Sequence, residues 1–469
     1  MGANSKDRSI DRKTDLAILG AGPGGYVAAI RAAKLGLKPV VIEKEYLGGV
    51  CLNWGCMPTK TLFHVAELLS QIKRASDFGI TISEYSLDFN KVMQRKDEIV
   101  KVLRRALEFH FKKNKIDLIN GNGRLLDNHR IAVTTNSKEY LEVWAENIII
   151  ATGSSPSLVP PFNFKEEGIL DNRGILSLTD LPSSILIVGG GVVGCEFANI
   201  LNAFGSKVTI IEILPRILST EAEEVSEVIE SVFRRRGIEI LTDASVDEVR
   251  RVKDRYVCKI RGGKELSVDK ILVSVGRRAN TIDIGIEEAG IETERGYIKV
   301  DSYLRTSVEN IYAVGDVIGG YQLAHVASAE GKIAVENILG KRKEMKYNAV
   351  PSAIFVSPEV GTVGLSESRA REKGIEVRAG VFPFSSSGKA LTVGETEGFV
   401  KIVTDSRTGE IVGAQVVGPR ASDLIHELTL AMCGELVIDN IANMIHSHPT
   451  LSEAIMEAAE DCFGIAIHK

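Results

Sequence analysis

Two cysteines five residues apart, Cys51 and Cys56, are the residues of this sequence best placed to do chemistry. They lie in the stretch GGVCLNWGCMPTK. On a regular helix, Cα atoms five residues apart are separated by about 8.7 Å, whereas a disulfide needs roughly 4.4–6.8 Å. A disulfide between them therefore requires a distorted segment, which Asn53 and Gly55 would permit.

The spacing of the two cysteines leaves three kinds of site open. One is half of a zinc site, but no second CxxC or Cys–His cluster supplies the remaining ligands, so no metal site is predicted. Another is two unrelated buried thiols. The third is a redox pair, because thiols between a glycine turn and a helix N-terminus are expected to have lowered pKa values. Lys60, four residues after Cys56, would share its helical face.

A glycine-rich turn precedes this cysteine segment, in DLAILGAGPGGYVAAIRAAKLGLKPVVIEKE. A short apolar strand leads into Gly20, Gly22 and Gly25, an alanine-rich helix follows, and a second strand ends at Glu43. The glycines fit the G-x-G-x-x-G pattern, which brings a pyrophosphate to the helix N-terminus. Glu43 lies 23 residues after Gly20 and could accept the ribose hydroxyl groups. These residues predict a dinucleotide site.

The same pattern recurs 169 residues later, in SSILIVGGGVVGCEFANILNAFGSKVTIIEILP. Gly189, Gly191 and Gly194 form the turn, and Glu212 ends the second strand. Two such motifs predict two nucleotide-binding domains and two different cofactors. Because an acid at this position repels a 2′-phosphate, Glu212 favours NAD over NADP, a preference that Arg216 weakens slightly.

Three further apolar strands end in turns of small residues, at Gly153, Gly276 and Gly315-Asp316. Asp316 could accept a hydroxyl group of a bound ribityl chain, or it could form only an Asx turn. Near the C-terminus, His448 and Glu453 lie in HSHPTLSE. By spacing alone, Thr450 to Glu453 is a capping box that opens the final helix.

Composition and charge exclude several classes of protein. The chain has 469 residues and a net charge of −5, which disfavours a strongly basic nucleic-acid-binding surface. It contains no apolar run near the roughly 20 residues of a membrane-spanning helix. The N-terminus has no secretory signal, so residues 1–13 are interpreted as a flexible tail of a cytoplasmic protein.

The elements that must position these residues follow from the apolar patterns. Residues 88–115 are predicted to form one long amphipathic helix. From about residue 350, the strands AIFVS, FVKIVTD and EIVGAQVVG, separated by short turns and followed by helices, predict an antiparallel sheet with helices on one face.

Together, GGVCLNWGCMPTK, both glycine motifs and AVGDV resemble the pyridine nucleotide–disulfide oxidoreductases. HSHPTLSE is most similar to members of that family that oxidise dihydrolipoamide. The resemblance runs from about residue 14 to the end of the chain. It implies an α/β fold with two Rossmann-like dinucleotide-binding domains and a C-terminal α+β dimerisation domain.

The resemblance also implies the cofactors and the residues that bind them. FAD would occupy the first motif, with Glu43 on its ribose and Asp316 on its ribityl chain. NAD would occupy the second motif. The implied FAD set is completed by Gly49, Lys60, Thr152 and Gly153, and the NAD set by Gly276.

The same resemblance assigns catalytic roles. Cys51 would exchange with the substrate, and Cys56 would lie against the flavin and form the charge-transfer complex. Lys60 would lie near flavin N5 and pair with Glu196, although an acid early in a helix is also favoured by the helix dipole. Glu453 would orient His448, the base for the substrate dithiol. In the family, that histidine reaches the cysteine pair of the other subunit.

The implied protein is a homodimer that oxidises protein-bound dihydrolipoamide and reduces NAD. Its partner would be a lipoyl-bearing carrier protein of a 2-oxoacid dehydrogenase or glycine cleavage complex. Two alternatives stay open, an NAD(P)H-dependent reductase of another small disulfide and a non-catalytic flavoprotein scaffold. Beside them, His446 is interpreted as structural.

The sequence signals also predict a division of the chain into domains. After the tail come an FAD-binding domain at 14–150 and an NAD-binding domain at 151–280. A central domain at 281–349 completes the FAD site, and an interface domain covers 350–469.

Overall fold

The computed structural model describes residues 11–469, in which the chain forms two units. The first unit contains residues 11–61, 94–157 and 276–345. The second contains residues 62–93, 158–275 and 346–469. Each unit is therefore assembled from stretches of chain that lie far apart in sequence.

The first part of the chain supplies five strands and four helices. In chain order they are β1 (Arg12–Leu19), α1 (Pro23–Lys34), β2 (Pro39–Glu43), α2 (Gly49–Trp54), α3 (Cys56–Lys73), α4 (Phe89–Lys113), β3 (Asp117–Leu125), β4 (Arg130–Thr135) and β5 (Tyr140–Ile150). The long helix predicted at 88–115 is thus confirmed as α4.

These five strands form the core of the first sheet. Strand β1 pairs in parallel with β2 and β5, and β2 pairs in parallel with β3. Strand β4 is antiparallel to both β3 and β5. Since β1, β2 and β5 run in the same direction, their carboxyl ends place Gly20, Glu43 and Ala151 at one edge of the sheet.

Strand β1 begins earlier than the apolar pattern indicated. Arg12 and Lys13, which were assigned to the flexible tail, pair with Val143 and Trp144 of β5. The Lys13 ammonium lies 4.4 Å from the centroid of the Trp144 ring. Polar residues of an exposed strand end give no apolar signal, so the predicted tail extends too far. Its residues 1–10 lie outside the described part of the chain.

The middle of the chain, from residue 154 to residue 273, contains a second sheet, which is parallel throughout, and several further elements. Its elements are β6 (Ser154–Pro156), β7 (Ile169–Leu170), α5 (Asn172–Ile175), β8 (Ser184–Val188), α6 (Val192–Phe204), β9 (Lys207–Ile211), α7 (Glu223–Arg235), β10 (Glu239–Leu241), β11 (Val246–Val252), β12 (Arg255–Ile260), β13 (Glu265–Val268) and β14 (Lys270–Val273). The parallel sheet has the order β10-β9-β8-β14-β7, and β11, β12 and β13 form an antiparallel meander.

The chain then returns to the first sheet. This stretch contains β15 (Arg277–Ala279), β16 (Thr293–Glu294), β17 (Tyr297–Ile298), β18 (Ile311–Ala313) and α8 (Ala324–Ile338). Strand β18 pairs in parallel with β5 and becomes the sixth strand of the first sheet. Strand β15 pairs with β6 in a two-stranded antiparallel ribbon.

The C-terminal part contains one antiparallel sheet and five helices. Its elements are β19 (Pro351–Ile354), β20 (Glu359–Gly364), α9 (Glu367–Glu372), β21 (Val377–Pro383), α10 (Gly388–Val393), β22 (Phe399–Asp405), β23 (Ile411–Gly418), α11 (Ala421–Cys433), α12 (Ile438–Ala442) and α13 (Glu453–Asp461). The strand order is β19-β20-β23-β22-β21, and every pair is antiparallel, as predicted.

One strand of this sheet ends earlier than the apolar run AIFVS predicted. Strand β19 stops at Ile354. The next backbone donors leave the sheet, because the Phe355 N–H donates to the carboxylate of Glu196 (3.0 Å) and the Ser357 N–H donates to Asn199 Oδ1 (3.3 Å). Separately, none of the helices within residues 11–469 combines the length and apolar character needed to cross a bilayer.

Candidate active site

The first glycine turn packs strand, helix and neighbouring strand tightly together. Gly20 follows β1 with φ at +96°, and a side chain there would overlap the carbonyl oxygen of Ala151. A methyl group on Gly25 would overlap the carbonyl oxygen of Gly20. Gly22 precedes α1 and supplies no side-chain cap. The N–H groups of the first helical turn can therefore receive a phosphate.

Glu43 is buried at the end of β2 and faces this turn. One carboxylate oxygen accepts the Ala21 N–H (2.7 Å), and the other accepts the Glu45 N–H (2.8 Å). These bonds fix the carboxylate beside the glycine backbone, and each oxygen retains a second acceptor position. The geometry fits the adenosine half of a dinucleotide.

The second glycine turn repeats this arrangement in the other unit. A methyl group on Gly194 would overlap the carbonyl oxygen of Gly189, and Gly191 precedes α6 without a side-chain cap. Glu212 accepts the N–H groups of Gly190 (2.7 Å) and Leu214 (2.9 Å). The two turns are thus built by the same set of contacts.

Arg216, which could have favoured a 2′-phosphate, is engaged elsewhere. Its guanidinium donates to the carbonyl oxygens of Leu218 (3.3 Å), Ser219 (3.1 Å) and Glu221 (3.0 Å) and to the Ser226 hydroxyl (2.5 Å). A guanidinium held by four local acceptors has little capacity left for a phosphate. The carboxylate of Glu212 therefore dominates the charge at this turn.

Asp316 lies in the first unit, where Ser154 and Arg277 contact its carboxylate. The Ser154 hydroxyl donates to Asp316, and Arg277 Nε lies 3.7 Å from the same oxygen. Arg277 also donates to the hydroxyl and carbonyl oxygens of Ser154, at 2.7 Å each. The buried carboxylate of Glu330 accepts the Gly315 N–H at 2.7 Å. The segment that carries Asp316 is thus fixed by contacts at both Gly315 and Asp316.

Thr152 and Gly153 are held by Asn280, the first residue after β15. The Asn280 amide donates to the Thr152 carbonyl (2.8 Å), the Thr152 hydroxyl donates to the Asn280 carbonyl (2.9 Å), and the Asn280 N–H donates to Gly153 (2.9 Å). Gly276, assigned to NAD, accepts the Ser157 N–H at 3.0 Å in the same unit. The chain leaves the first unit just after β6 and re-enters it just before β15, so both passages lie next to the β6–β15 ribbon.

Sequence reasoning missed four of these residues: Ser154, Arg277, Asn280 and Glu330. Ser154 and Asn280 lie close to singled-out turns but match no motif. Arg277 directly follows Gly276, and its position next to that turn was the only sequence signal for Arg277. Glu330 lies inside α8, where only its burial at 3% exposure marks it.

The cysteine segment has the distortion that a disulfide would require. Helix α2 ends at Trp54 and α3 begins at Cys56, with Gly55 between them at φ −140° and ψ −111°. The thiols of Cys51 and Cys56 are hydrogen-bonded to each other. At the start of the segment, Gly49 meets Gly22 so closely that a side chain on Gly49 would overlap the Gly22 backbone. The start of the cysteine segment therefore lies against the first dinucleotide turn.

The Cys51 thiol has a raised pKa, so the predicted lowering is wrong for this dithiol form. Its hydrogen bond to Cys56 is the largest cause, and burial acts in the same direction. The charge of Lys60 lowers the pKa but does not offset these effects. Tyr26 in α1, which was not singled out, lies within electrostatic range of both cysteines. Its pKa is raised by burial first and then by their charges.

Lys60 and Glu196 fall in different units. Lys60 is the fifth residue of α3 and belongs to the first unit, and Glu196 lies in α6 of the second. Glu196 is only 4% exposed and accepts the Phe355 N–H. Their pairing stays a prediction.

His448 and Glu453 form the second polar cluster. The His448 Nδ1 lies 2.8 Å from Glu453 Oε1, and Glu453 Oε2 accepts the Thr450 N–H at 2.7 Å. Burial would raise the pKa of Glu453, but these two bonds outweigh it and lower the pKa. The His448 side chain is 80% exposed. Glu453 contacts only Nδ1, so Nε2 of this exposed ring is available to accept a proton.

The neighbouring His446 is built differently. Its side chain is buried at 2% exposure, with Nε2 3.0 Å from the Glu427 carboxylate and Nδ1 3.1 Å from the Met444 carbonyl oxygen. These contacts tie the loop that carries His448 to α11. They agree with a structural role.

Comparison with known proteins identifies the family. Residues 14–331 match the pyridine nucleotide-disulphide oxidoreductases, and residues 350–459 match the dimerisation domain of that family. The chain is 44% identical to the dihydrolipoyl dehydrogenase of Chlamydia muridarum over 448 residues, covering 95% of this chain and 96% of that protein. It is also 44% identical to a dihydrolipoyl dehydrogenase of Bacillus subtilis over 468 residues, covering 97% and 99%.

Solved structures agree with this assignment. LpdA from Mycobacterium tuberculosis matches with a TM-score of 0.90 and 29% identity, over 96% of this chain and 99% of that one. The flavoprotein disulfide reductase RclA from Escherichia coli matches with a TM-score of 0.86 and 30% identity, over 95% and 99%. The predicted fold class and family resemblance are confirmed. The chain belongs to the pyridine nucleotide-disulphide oxidoreductase family.

Proposed function

We propose that the protein is an FAD-dependent dihydrolipoyl dehydrogenase, which oxidises protein-bound dihydrolipoamide to lipoamide and reduces NAD to NADH. The observation that carries the proposal is the Cys51–Cys56 pair, hydrogen-bonded across a helix break in a segment whose first residue, Gly49, packs against Gly22 of the first dinucleotide turn. The dihydrolipoyl dehydrogenases that match nearly the whole chain support the choice of substrate.

The chemistry begins as thiol–disulfide exchange with the cysteine pair in its disulfide form. His448 takes a proton from the substrate at Nε2, because Nδ1 faces Glu453. The substrate thiolate bonds to Sγ of Cys51, and the Cys51–Cys56 bond breaks with its electron pair on Cys56. The second substrate thiol then attacks the first substrate sulfur, which closes the lipoamide ring. The Cys51–substrate bond breaks with its electron pair on Cys51, and the proton of the second thiol passes to Cys51. Two electrons have passed from the substrate to the cysteine pair.

Bound FAD would supply the two-electron chemistry that links the reduced cysteine pair to NAD. Glu43 and the turn at Gly20, Gly22 and Gly25 would hold its adenosine half, and Asp316 would hold its ribityl chain. Lys60 would lie near its reactive ring, and its pairing with Glu196 stays a prediction from the family resemblance. Gly49, Thr152 and Gly153 would line the same site.

The second turn would bind NAD in preference to NADP. Gly189, Gly191 and Gly194 would receive its pyrophosphate, and the assignment of Gly276 to NAD stays a prediction from the family resemblance. The carboxylate of Glu212 would accept the ribose hydroxyl groups and repel a 2′-phosphate. The engagement of Arg216 by four local acceptors removes the sequence argument for NADP.

The match to a dimerisation domain over residues 350–459 supports a homodimer. In that dimer, we propose, His448 and Glu453 of one chain serve the cysteine pair of the other. The partner would be a lipoyl-bearing carrier protein of a 2-oxoacid dehydrogenase or glycine cleavage complex, in the cytoplasm. The four domains at 14–150, 151–280, 281–349 and 350–469 are part of this proposal.

The deciding experiment is stopped-flow reduction of the purified flavoprotein by dihydrolipoamide. We expect a long-wavelength absorbance band, followed by NADH formation when NAD is added. Absence of both would contradict the proposal. Reduction of another small disulfide by NAD(P)H, with no dihydrolipoamide oxidation, would favour the alternative reductase, and absence of all these reactions would favour a scaffold.

Two controls make this experiment specific. Cys56→Ser is expected to abolish the long-wavelength band while FAD stays bound, because we assign to that sulfur the charge-transfer contact with the flavin. Cofactor choice is tested by replacing NAD with NADP. A higher kcat/KM with NADP would contradict the role proposed for Glu212.

A further inference from the structure

Arg104 of helix α4 connects that helix to the segment between the two cysteines. Its Nε and Nη2 both donate to the side-chain oxygen of Asn53, at 3.1 and 2.6 Å. Asn53 lies between Cys51 and Cys56 and is only 7% exposed. The acceptor that Arg104 satisfies is therefore buried inside the reactive segment.

The amide nitrogen of Asn53 also donates two hydrogen bonds. Its Nδ2 donates to the carbonyl oxygens of Leu47 (3.0 Å) and Gly49 (2.9 Å). An amide that donates twice and accepts twice has a single allowed orientation. The turn before α2, the body of α2 and α4 are thus joined through one side chain.

An aromatic contact also fixes the Arg104 guanidinium. The Arg104 guanidinium carbon lies 3.8 Å from the centroid of the Tyr46 ring, within the range of a cation–π contact. Tyr46 in turn packs against Trp54, with ring centroids 6.0 Å apart. Arg104 is therefore held by Tyr46 while it holds Asn53.

The same guanidinium lines a cavity of about 610 Å³ at the end of β2. Tyr46, Leu47 and Asn120 also line this cavity, and Asn120 is the register partner of Glu43 in the neighbouring strand. Arg104 thus stands between the cavity beside Glu43 and the segment that carries the cysteines.

We propose that Arg104 is a positioning residue that holds the Cys51–Cys56 segment through Asn53 and couples it to the cavity beside Glu43. This inference rests on the proposed function, because that function gives the cysteine pair its redox role and places the adenosine end of FAD at Glu43. Arg104 itself touches neither thiol. Its effect passes through the orientation of Asn53.

The test compares Arg104→Met with Arg105→Met, an exposed neighbour on the same helix, in the FAD-loaded protein. We expect Arg104→Met to lower dihydrolipoamide oxidation about tenfold and to change the long-wavelength band. Electron transfer from NADH to ferricyanide, which bypasses the cysteines, should stay within about twofold of wild type. Arg104→Lys, which can restore one of the two hydrogen bonds, should recover part of the loss.

Alkylation of Cys51 by iodoacetamide in the NADH-reduced protein, followed by mass spectrometry, gives a readout that needs no dithiol substrate. Arg104→Met should change that rate at least threefold, and Arg105→Met should not. Unchanged alkylation and an unchanged band would overturn the inference. A parallel loss of ferricyanide reduction and flavin content would also overturn it, because Arg104 would then act only on FAD binding.

If wild-type protein fails to oxidise dihydrolipoamide, the proposed function fails, and the alkylation comparison still decides the role of Arg104. A double-mutant cycle completes the design. In an Asn53→Ala background, Arg104→Met should have little further effect on alkylation. Additive effects of the two substitutions would overturn the route through Asn53.

Discussion

At the scale of single residues, Glu453 serves two functions that sequence patterns present as alternatives. One oxygen accepts the N–H of Thr450, which lies ahead of α13, as in the reciprocal half of a capping box, and the other contacts His448. Helix α13 itself begins at Glu453, so the predicted box at Thr450 does not open it. The Thr450 hydroxyl does not complete the box, because it donates to the Ser447 carbonyl oxygen. A single carboxylate thus fixes both the segment ahead of α13 and the proposed base.

The first prediction concerns this carboxylate. Glu453→Gln should lower kcat for dihydrolipoamide oxidation by roughly 10- to 100-fold, a part of what general-base catalysis contributes, because the His448 ring loses its charged partner. Flavin content should be unchanged. Stopped-flow and steady-state rates check this, with Glu460→Gln on the same helix as the control. Equal rates in the two variants would contradict the role given to Glu453.

At the scale of elements, the two dinucleotide turns are equivalent in geometry but are assigned to different cofactors. The second prediction therefore uses matched substitutions, Gly25→Ala and Gly194→Ala. In each, the new methyl group overlaps the carbonyl oxygen of the first motif glycine, so helix and strand must separate. Overpacking of this kind costs about 1–3 kcal/mol of folding free energy. If the cost falls on the bound state, the affinity of the turn for its cofactor decreases roughly 5- to 150-fold.

Gly25→Ala should lose FAD, measured as flavin per chain after purification, and Gly194→Ala should keep FAD but raise KM for NAD. If both variants lost the same cofactor, the assignment of one turn to each cofactor would be wrong.

The third prediction concerns Lys401 of β22, whose ammonium contacts Glu224 of α7 and, at 2.8 Å, Glu367 of α9. The hydrogen bond to Lys401 is the largest cause that lowers the pKa of Glu367. For Glu224, burial raises the pKa, but Lys401 outweighs it and the net shift is downward. Carboxylates with lowered folded-state pKa values stabilise the protein above their unfolded value of about 4.3, and this contribution is lost as the pH falls through the folded-state values.

Lys401→Met should reduce the free energy of unfolding by about 1 kcal/mol at pH 7, since it removes the buried cation shared by two partly exposed carboxylates, whose interactions are screened by solvent. It should also flatten the loss of stability between pH 6 and pH 3. Denaturant unfolding across this range measures both effects, with the exposed Lys373→Met as control. A pH dependence identical to wild type would rule out this cluster as its source.

At the scale of the whole molecule, the proposed catalysis divides the active site between two chains. The fourth prediction follows from that division. Cys51→Ser and His448→Gln should each be nearly inactive as homodimers. A hybrid dimer made by co-expression should recover up to about half of the wild-type activity per dimer, because one of its two sites then contains an intact cysteine pair and an intact His448.

Differently tagged chains allow the hybrid dimer to be purified and assayed directly. Activity no higher than in the parent homodimers would mean that His448 serves the cysteines of its own chain. The double variant Cys51→Ser/His448→Gln, co-expressed with wild type, serves as the control.

What the sequence by itself determined about this protein is local in the chain. Each dinucleotide turn, from strand through glycines and helix to the acid, occupies about 30 contiguous residues, so its pattern survives without knowledge of the fold. The cysteine spacing likewise required a distorted segment if the two cysteines form a disulfide, and the helix is broken at Gly55. The C-terminal antiparallel sheet was predictable because its strands follow one another through short turns.

Only the tertiary structure decided what joins distant parts of the chain. Ser154, Arg277 and Glu330 meet around Gly315-Asp316 because β15 returns to β6 and β18 joins β5, pairings across more than 100 residues that no local pattern encodes. The raised pKa of Cys51 depends on the orientation of its neighbouring thiol, and the bond from Arg104 to Asn53 depends on where α4 packs. Sequence determined which groups are present near each turn, and the packing determined which of them carry charge, donate or accept.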